Sequence, residues 1–278
     1  MLHRSSLSVI ALMATMAMGD AQAQDFLLKY PDIVSQWRRP PGVGIQWDQS
    51  KRLGLPQQAP LTAEYRTRFE ASRADQAAGG QGADAVAQCM PPGMPRMMTI
   101  VFPMEIIITP KVTYILTDYT EPRRIYTDGQ DWPEELVPTF NGYSIGRWID
   151  EDGDGRYDVI EIETRGFKGP RTFEASGIEL HEDGQTIIKE RIYLDKSDPN
   201  VLYDQITTID NALTRPWTVT KKYLRERNPI WHFNNCSEGN QHVWIGKHNY
   251  FLSADGYLMP ARKDQPPPDL RYFKQPQK

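Results

Sequence analysis

The sequence has few cysteines, no excess of positive charge and only one long apolar run, and each shortage excludes a class of protein. A formal net charge of −4 argues against a nucleic-acid partner, because phosphate binding needs a basic surface. The familiar signatures G-x-S-x-G, G-x-G-x-x-G, the P-loop, H-E-x-x-H and C-x-x-C are all missing. Their absence argues against common hydrolases, nucleotide enzymes, zinc proteases and thiol oxidoreductases. A cofactor-free acid–base enzyme would leave no such signature.

The one long apolar run indicates export. His3 and Arg4 precede apolar residues 7–18, and Ala21-Gln22-Ala23 follows with the small residues of a cleavage site. This pattern is typical of a secretory signal peptide over residues 1–23 and is too short for a membrane span. The residue just after the cleavage site is Gln24 and not a cysteine, which argues against a lipoprotein. We therefore expect a periplasmic or secreted protein without a membrane span.

The chain has two cysteines, Cys89 and Cys236. In an oxidising compartment a disulfide between them is the first expectation. Closing so long a loop would stabilise the fold by about 4–5 kcal/mol in the chain-entropy model. The alternative is a nucleophilic Cys236 with His232, His242 or His248 as its base, which no motif supports.

Composition and turn signals divide the mature chain into three parts. Residues 24–96 form an N-terminal loop and helix segment, residues 97–227 a β core, and residues 228–278 a C-terminal segment that packs on the core. The helix is predicted over residues 62–78, because Thr62 can cap its start and Gly79-Gly80 can end it.

The core is predicted to be a meander of short strands. Candidate strands are residues 97–101, 104–109, 111–118, 123–127, 143–148, 157–164, 176–181, 186–194, 201–209 and 217–224. Turn signals separate these strands, and no helix intervenes. The pattern predicts a mainly β fold, an antiparallel meander closed into a barrel or folded as a sandwich, lipocalin-like in outline.

The sharpest local signal is an acidic turn between two of these strands. Its candidate metal ligands match the spacing of a calcium loop and are Asp150, Asp152, Asp154, Asp158 and Glu161. The flanking residues predict strands rather than the two helices of an EF-hand. Two interpretations stay open: a Ca²⁺ ion that stabilises the hairpin, or a solvated turn, since Asp and Gly are ordinary turn residues.

Strand alternation selects the candidate catalytic residues. Glu190 shares a strand face with Ile188 and Ile192, and burial among apolar residues would raise its pKa toward the range of a general acid or base. We expect the face of Arg124, Tyr126 and Asp128 to lie in the same interior, where it could polarise a substrate oxygen. His181 is a candidate proton shuttle. The alternative is that inward Arg–carboxylate pairs only join strands.

Five further residues are candidate ligand contacts on grounds of charge or aromatic character. They are Glu105, Trp148, Arg191, Arg215 and Trp217. For Trp217 the alternative is a core position, because large aromatic side chains also dominate protein interiors.

Several segments of the chain resemble a family of exported proteins of sphingomonads and related bacteria. They are CMPPGMPR (89–96), RRIYTDG (123–129), NGYSIGRW (141–148), TRPWTVT (214–220) and SADGYLMPARKDQPPPDLRYF (253–273). The resemblance covers most of the mature chain, implies export and assigns no catalytic residue. Members of that family carry a short W-E-G-D-T turn where this chain has residues 149–158. The acidic loop is therefore expected to be particular to this branch rather than part of a shared active site.

These observations lead to three hypotheses. The first is an exported protein that binds a small apolar or aromatic molecule in a cavity of the sheet, with or without cofactor-free turnover of the lyase or isomerase type. The second is a non-catalytic envelope binding or structural protein. The third is an interaction module stabilised by Ca²⁺, the one cofactor that the residues suggest.

Overall fold

The computed structural model describes residues 26–44, 46–51, 59–100, 102–231, 242–245, 248–253 and 257–268. The expected signal peptide and Cys236 lie outside these residues. Cleavage after Ala23 and the disulfide to Cys89 therefore stay predictions. Within the described residues, no helix is both long enough and apolar enough to cross a membrane.

Nine strands form a closed barrel in chain order. They are β1 (Gln36–Arg38), β2 (Met104–Ile108), β3 (Val112–Thr117), β4 (Thr120–Tyr126), β5 (Tyr143–Ile149), β6 (Val159–Arg165), β7 (Ile187–Leu194), β8 (Val201–Ile209) and β9 (Trp217–Arg225). Strand β1 closes the barrel by pairing with β2 on one side and β9 on the other. The predicted mainly β fold with a barrel is confirmed.

One strand pair departs from the expected antiparallel meander. Strands β4 and β5 are parallel, with Ile125 opposite Ser144 and Tyr126 opposite Ile145. A parallel neighbour requires the chain to return to the end of the barrel where β4 began. Residues 127–142 make this crossover, so the predicted antiparallel meander is interrupted at this one pair of the barrel.

Side-chain alternation explains which residues fill the barrel. In β7, Ile188, Glu190 and Ile192 are buried, whereas Lys189 is exposed and Arg191 is half-buried. Strands β2 to β9 all follow this period of two, which is the geometry of a strand with one buried face. Burying each large aliphatic side chain stabilises the fold by about 1.5–3 kcal/mol.

Gly146 lets β4 and β5 pack closely. It occupies an inward position of β5, and a Cβ there would lie 2.6 Å from Cγ2 of Ile125 and 3.2 Å from Cδ1 of Ile160. A larger residue would force the barrel wall to shift in a close-packed interior.

Two of the predicted strands are wrong. Residues Arg96–Met98 form a 3-10 turn, and Met97, Met98 and Ile100 are fully buried against the barrel interior. Residues 176–181 contain only a single bridge, from Glu179 to Thr172. In both segments the apolar residues reflect burial of an irregular chain, which a pattern of hydrophobicity cannot distinguish from a strand.

The helix α1 (Ala63–Ala77) confirms the predicted element. The Thr62 hydroxyl accepts a hydrogen bond from the Tyr65 amide, as a helix cap does. Tyr65, Phe69 and Ser72 form its buried face. The C-terminal segment forms a small sheet of β10 (His242–Ile245), β11 (His248–Leu252) and β12 (Leu258–Pro260).

Candidate functional site

A buried ion pair crosses the barrel interior. The Arg123 side chain on β4 donates to both carboxylate oxygens of Glu190 on β7, with Nη1 at 2.8 Å from Oε1. It also donates to the Ser144 hydroxyl at 3.3 Å and to the Thr164 hydroxyl at 2.9 Å. The two charged residues are 1% and 2% exposed. Charge-assisted bonds of this kind offset the cost of removing both charges from water.

Glu190 is buried as expected, but its interior partner is Arg123 rather than Arg124. Both carboxylate oxygens accept bonds from the guanidinium, so neither is free to take a proton from a ligand. Strands β4 and β7 are not neighbours in the sheet. The pair therefore connects opposite walls of the barrel, the structural alternative that the sequence left open.

A second charged pair lies on neighbouring strands. Asp204 on β8 is directly opposite Lys221 on β9, and both are 0% exposed. The Lys221 ammonium donates to the Trp47 carbonyl and, at 3.2 Å, to the Thr99 hydroxyl, and it lies 4.0 Å from the centre of the Trp47 ring. Neither carboxyl oxygen of Asp204 has a hydrogen-bond partner within the described part of the chain.

Burial shifts this pair toward its neutral form. Desolvation lowers the pKa of Lys221 to about 7, although the nearby Asp204 opposes the shift. Desolvation and the charge of Glu190 raise the pKa of Asp204 well above its usual range, against the attraction of Arg123 and Lys221. Tyr223 completes the cluster by donating to the Met98 carbonyl at 2.6 Å, and burial raises the pKa of its hydroxyl.

The rule that selected Glu190 would also have selected Asp204 and Lys221. Asp204 shares its strand face with Leu202 and Ile206, and Lys221 shares its face with Val219 and Tyr223. A charged residue in an apolar row was thus a visible signal on both strands. Sequence reasoning missed these residues because it followed the signal on β7 only.

A groove with a volume of about 710 Å³ lies on the outside of the barrel. Its floor consists of outward side chains of β5 to β8, which alternate with the buried ones. The floor residues are Ile145, Arg147, Glu161, Glu163, Lys189, Arg191, Gln205 and Thr207. Gly146, Ile162 and Glu190 also border the groove. Its volume falls within the range of about 300–1,000 Å³ that is usual for ligand pockets.

Strand register arranges the floor in two rows across the sheet. Arg147 is opposite Glu161, which is opposite Arg191. In the second row Glu163 is opposite Lys189. Positive and negative side chains therefore alternate across each row, and neighbours of opposite charge form two ion pairs. Arg191 Nε lies 3.3 Å from Glu161 Oε1, and Lys189 Nζ lies 3.6 Å from Glu163 Oε2.

Aromatic side chains line the remaining sides of the groove. Tyr30 and Tyr157 contact each other and Trp148, with ring centres 5.1 Å apart for Tyr30–Trp148 and 5.1 Å for Tyr30–Tyr157. Trp132, from the crossover segment 127–142, also lines the groove, and the Arg165 guanidinium lies 4.8 Å from the centre of its ring. Trp132, Tyr30 and Arg147 were not among the candidates from sequence, because contacts between segments far apart in the chain bring them to the groove.

The expected interior face of β4 is wrong. Arg124 and Asp128 are exposed, and Tyr126 is half-buried on the outer side, where it stacks on Tyr143 with ring centres 4.8 Å apart. The Arg124 guanidinium lies 5.7 Å from the centre of the Tyr114 ring. The buried face of β4 carries Arg123 and Ile125 instead. Because Arg123 and Arg124 are adjacent, the sequence is compatible with either arginine pointing inward.

The remaining catalytic candidate lies away from both the interior cluster and the groove. His181 is in a loop, with Nδ1 at 3.1 Å from Asp183 Oδ2 and its ring 5.5 Å from that of Tyr65.

Two of the candidate ligand contacts, Trp148 and Arg191, line the groove. Trp217 is a core residue between Trp47 and Phe173, which was the alternative interpretation. Glu105 accepts a bond from Gln36 at 3.4 Å, and Arg215 is exposed. The structure brings none of these three to the groove.

The acidic loop brings together three of its five candidate ligands. Carboxylate oxygens of Asp150, Asp152 and Asp158 lie within 4.8 Å of one another. Several of these oxygens already accept loop amides, for example from Gly153 and Gly155 to Asp150 at 2.7 and 2.9 Å.

The other two candidate ligands are not part of this group. Glu161 is in a strand and pairs with Arg191, and Asp154 accepts the Arg156 amide at 2.8 Å. The loop therefore has the hydrogen bonds of a stable turn together with three converging carboxylates.

Comparisons with protein-family models, with curated proteins and with solved structures find no match for this chain.

Proposed function

We propose that the protein is an exported binding protein that holds a small organic molecule in the outer groove of its barrel. The observation that carries the proposal is a groove of about 710 Å³ with aromatic sides and a polar floor. Binding pockets combine aromatic surface with a few polar groups that orient the ligand, and this groove has both. The N-terminal pattern of the sequence supports a site of action in the periplasm or outside the cell.

The geometry favours binding over acid–base turnover. The barrel interior is filled by apolar side chains around two buried charged pairs, in which Arg123 engages both oxygens of Glu190 and Asp204 is fully buried opposite Lys221. A general base needs an oxygen within reach of the proton that it removes. We therefore assign Glu190 to the stability of the barrel and the ligand to the outer face of β5–β8.

Filling the groove tests this proposal. Gln205 is exposed on the floor, and a Gln205→Trp substitution would place a large side chain in the space of the ligand. Thr220, opposite Gln205 on β9, is also exposed but does not line the groove, so Thr220→Trp is the matched control. A fragment library of sugars, aromatic acids and aromatic alcohols is screened by saturation-transfer NMR.

We expect at least one class of fragment to bind the wild type and the control but not Gln205→Trp. Fragments that bind all three proteins equally, or none of them, would contradict a ligand site in the groove.

A further inference from the structure

The charged groups that line the groove balance one another. Arg147, Lys189 and Arg191 contribute positive charge, and Asp131, Glu161 and Glu163 contribute negative charge. The charge of Glu190, which also borders the groove, is neutralised by its buried partner Arg123. Because opposite charges alternate along the rows of the floor, no part of the groove carries a strong potential of one sign. A site for a strongly charged ligand would instead concentrate the opposite charge.

From this balance we infer that the ligand is a neutral, polyhydroxylated molecule, namely a short oligosaccharide. The inference rests on the proposed function and specifies the ligand class of the same groove. A hydroxyl group both donates and accepts hydrogen bonds, so a row of hydroxyls can pair with alternating carboxylates and cationic side chains. Bonds to charged groups are stronger than bonds between neutral groups, and the floor supplies both kinds of partner.

The ion pairs of the floor leave capacity for such a ligand. A guanidinium has five N–H donors and a carboxylate about four acceptor positions, so one contact between them uses only part of each. Arg147 is exposed and makes no ion pair within the described part of the chain. Gln205 and Thr207 add groups that can either donate or accept.

The aromatic sides of the groove suit the apolar faces of sugar rings. Tyr30, Tyr157 and Trp132 are half-buried and line the groove, so part of each ring is available for contact. Trp148 is 8% exposed and also lines the groove, and its indole N–H has no hydrogen-bond partner within the described residues. The nitrogen itself is buried, so Trp148 contributes the accessible part of its ring to the groove rather than a hydrogen bond.

Two other ligand classes fit the groove less well. A wholly apolar molecule would cover the charged floor and remove water from groups such as Glu163 and Lys189 without offering hydrogen bonds. A polyanion would meet Glu161, Glu163 and Asp131 as well as the cationic side chains. A neutral ligand with many hydroxyl groups avoids both costs.

The test is a titration of the purified full-length mature protein with defined probes. Cellotetraose, maltotetraose and chitotetraose represent neutral oligosaccharides, trigalacturonate an anionic one, and 1-naphthol an apolar aromatic. Binding is measured by tryptophan fluorescence and by calorimetry. We expect a neutral oligosaccharide to bind, Trp132→Ala to weaken its affinity by about tenfold and Arg147→Gln to weaken it measurably.

Trp231→Ala is the control, since Trp231 is exposed and does not line the groove. Its affinity should equal that of the wild type. If only 1-naphthol or trigalacturonate binds, and Trp132→Ala weakens that binding, the inference of an oligosaccharide ligand is wrong. The proposal that the groove is a binding site is then supported. If no probe binds and the fragment screen also finds nothing, both the ligand class and the proposed function fail.

Discussion

At the scale of single residues, the Arg123–Glu190 pair makes a clear prediction about stability. Glu190→Gln leaves the buried Arg123 guanidinium without its counter-charge, and removing one partner of a buried pair costs about 3–5 kcal/mol. We expect urea denaturation to show a loss of that size in the free energy of unfolding. Lys189→Gln, at the exposed neighbouring position, should change it by less than about 0.5 kcal/mol.

A catalytic Glu190 would give the opposite result, an almost unchanged melting temperature. Replacing Arg123 and Glu190 together with methionine should recover much of the lost stability, because no buried charge then remains unpaired.

The shifted pKa of Lys221 makes a second prediction at this scale. Burial lowers it to about 7 from an ordinary value of 10.5, so between these values the unfolded chain holds a proton that the folded protein lacks. Stability therefore rises with pH across that window and does not change further below pH 7 through this group. The raised pKa of Asp204 acts in the other direction, lowering stability as pH rises from about 4.

The contribution of Lys221 can be isolated by comparison with Lys221→Met. The free energy of unfolding of the wild type minus that of the variant should increase from about pH 7 to about pH 10, because the titrations of groups distant from Lys221 cancel. Loss of Lys221 raises the pKa of Asp204 further, which changes the difference in the same direction. Lys222→Met is the matched control, since Lys222 is exposed on the same strand. A difference that stays constant over this range would contradict a neutral buried amine.

At the scale of elements, the acidic loop before β6 makes a prediction about calcium. Three converging carboxylates resemble the weaker extracellular calcium sites, whose dissociation constants are about 10⁻⁴–10⁻³ M. We expect millimolar Ca²⁺ to raise the melting temperature and Asp152→Asn to abolish the increase. Asp128→Asn is the control, because Asp128 is exposed outside the loop. An unchanged melting temperature at millimolar Ca²⁺ would leave the loop as a turn held by its own amides.

Most strands could be predicted because their alternation is strong. Strands β7 and β8 have apolar residues at every second position, and the structure places them within one residue of the predicted bounds. The prediction of a strand at residues 97–101 was wrong because a buried irregular segment is also apolar. The phase of β4 was wrong because Arg123 and Arg124 are adjacent, and only the position of Glu190 across the barrel decides which one points inward.

At the scale of the whole molecule, closure of the barrel depends on β1. This strand has only three residues, in a segment rich in proline and glycine that the sequence indicates as a loop. Trp37 is fully buried, and its indole donates to the Ile33 carbonyl at 2.9 Å. Pairing of Gln36 with Glu105 and of Trp37 with Arg225 then covers the two free edges of the sheet.

The candidate ligand site is also a property of the whole molecule. Its floor comes from four strands, and part of its aromatic lining comes from Tyr30 and Trp132, which are far apart in the chain. The residues themselves are visible in the sequence, but their positions along the chain do not indicate that Trp132 lies near Lys189. That proximity follows from the parallel pairing of β4 with β5, which positions the crossover segment over the outer face.

The amino-acid sequence alone determined the fold class, the helix α1 and most strands, because these depend on local propensity and on short-range periodicity. It also determined that Glu190 is buried, since that residue lies in an apolar row. Only the tertiary structure decided that Arg123 is its partner, that Asp204 and Lys221 share the interior, and that the aromatic-sided groove lies outside the barrel. Those features depend on which strands are neighbours and on how the barrel closes, and such long-range contacts leave no periodic pattern in the chain.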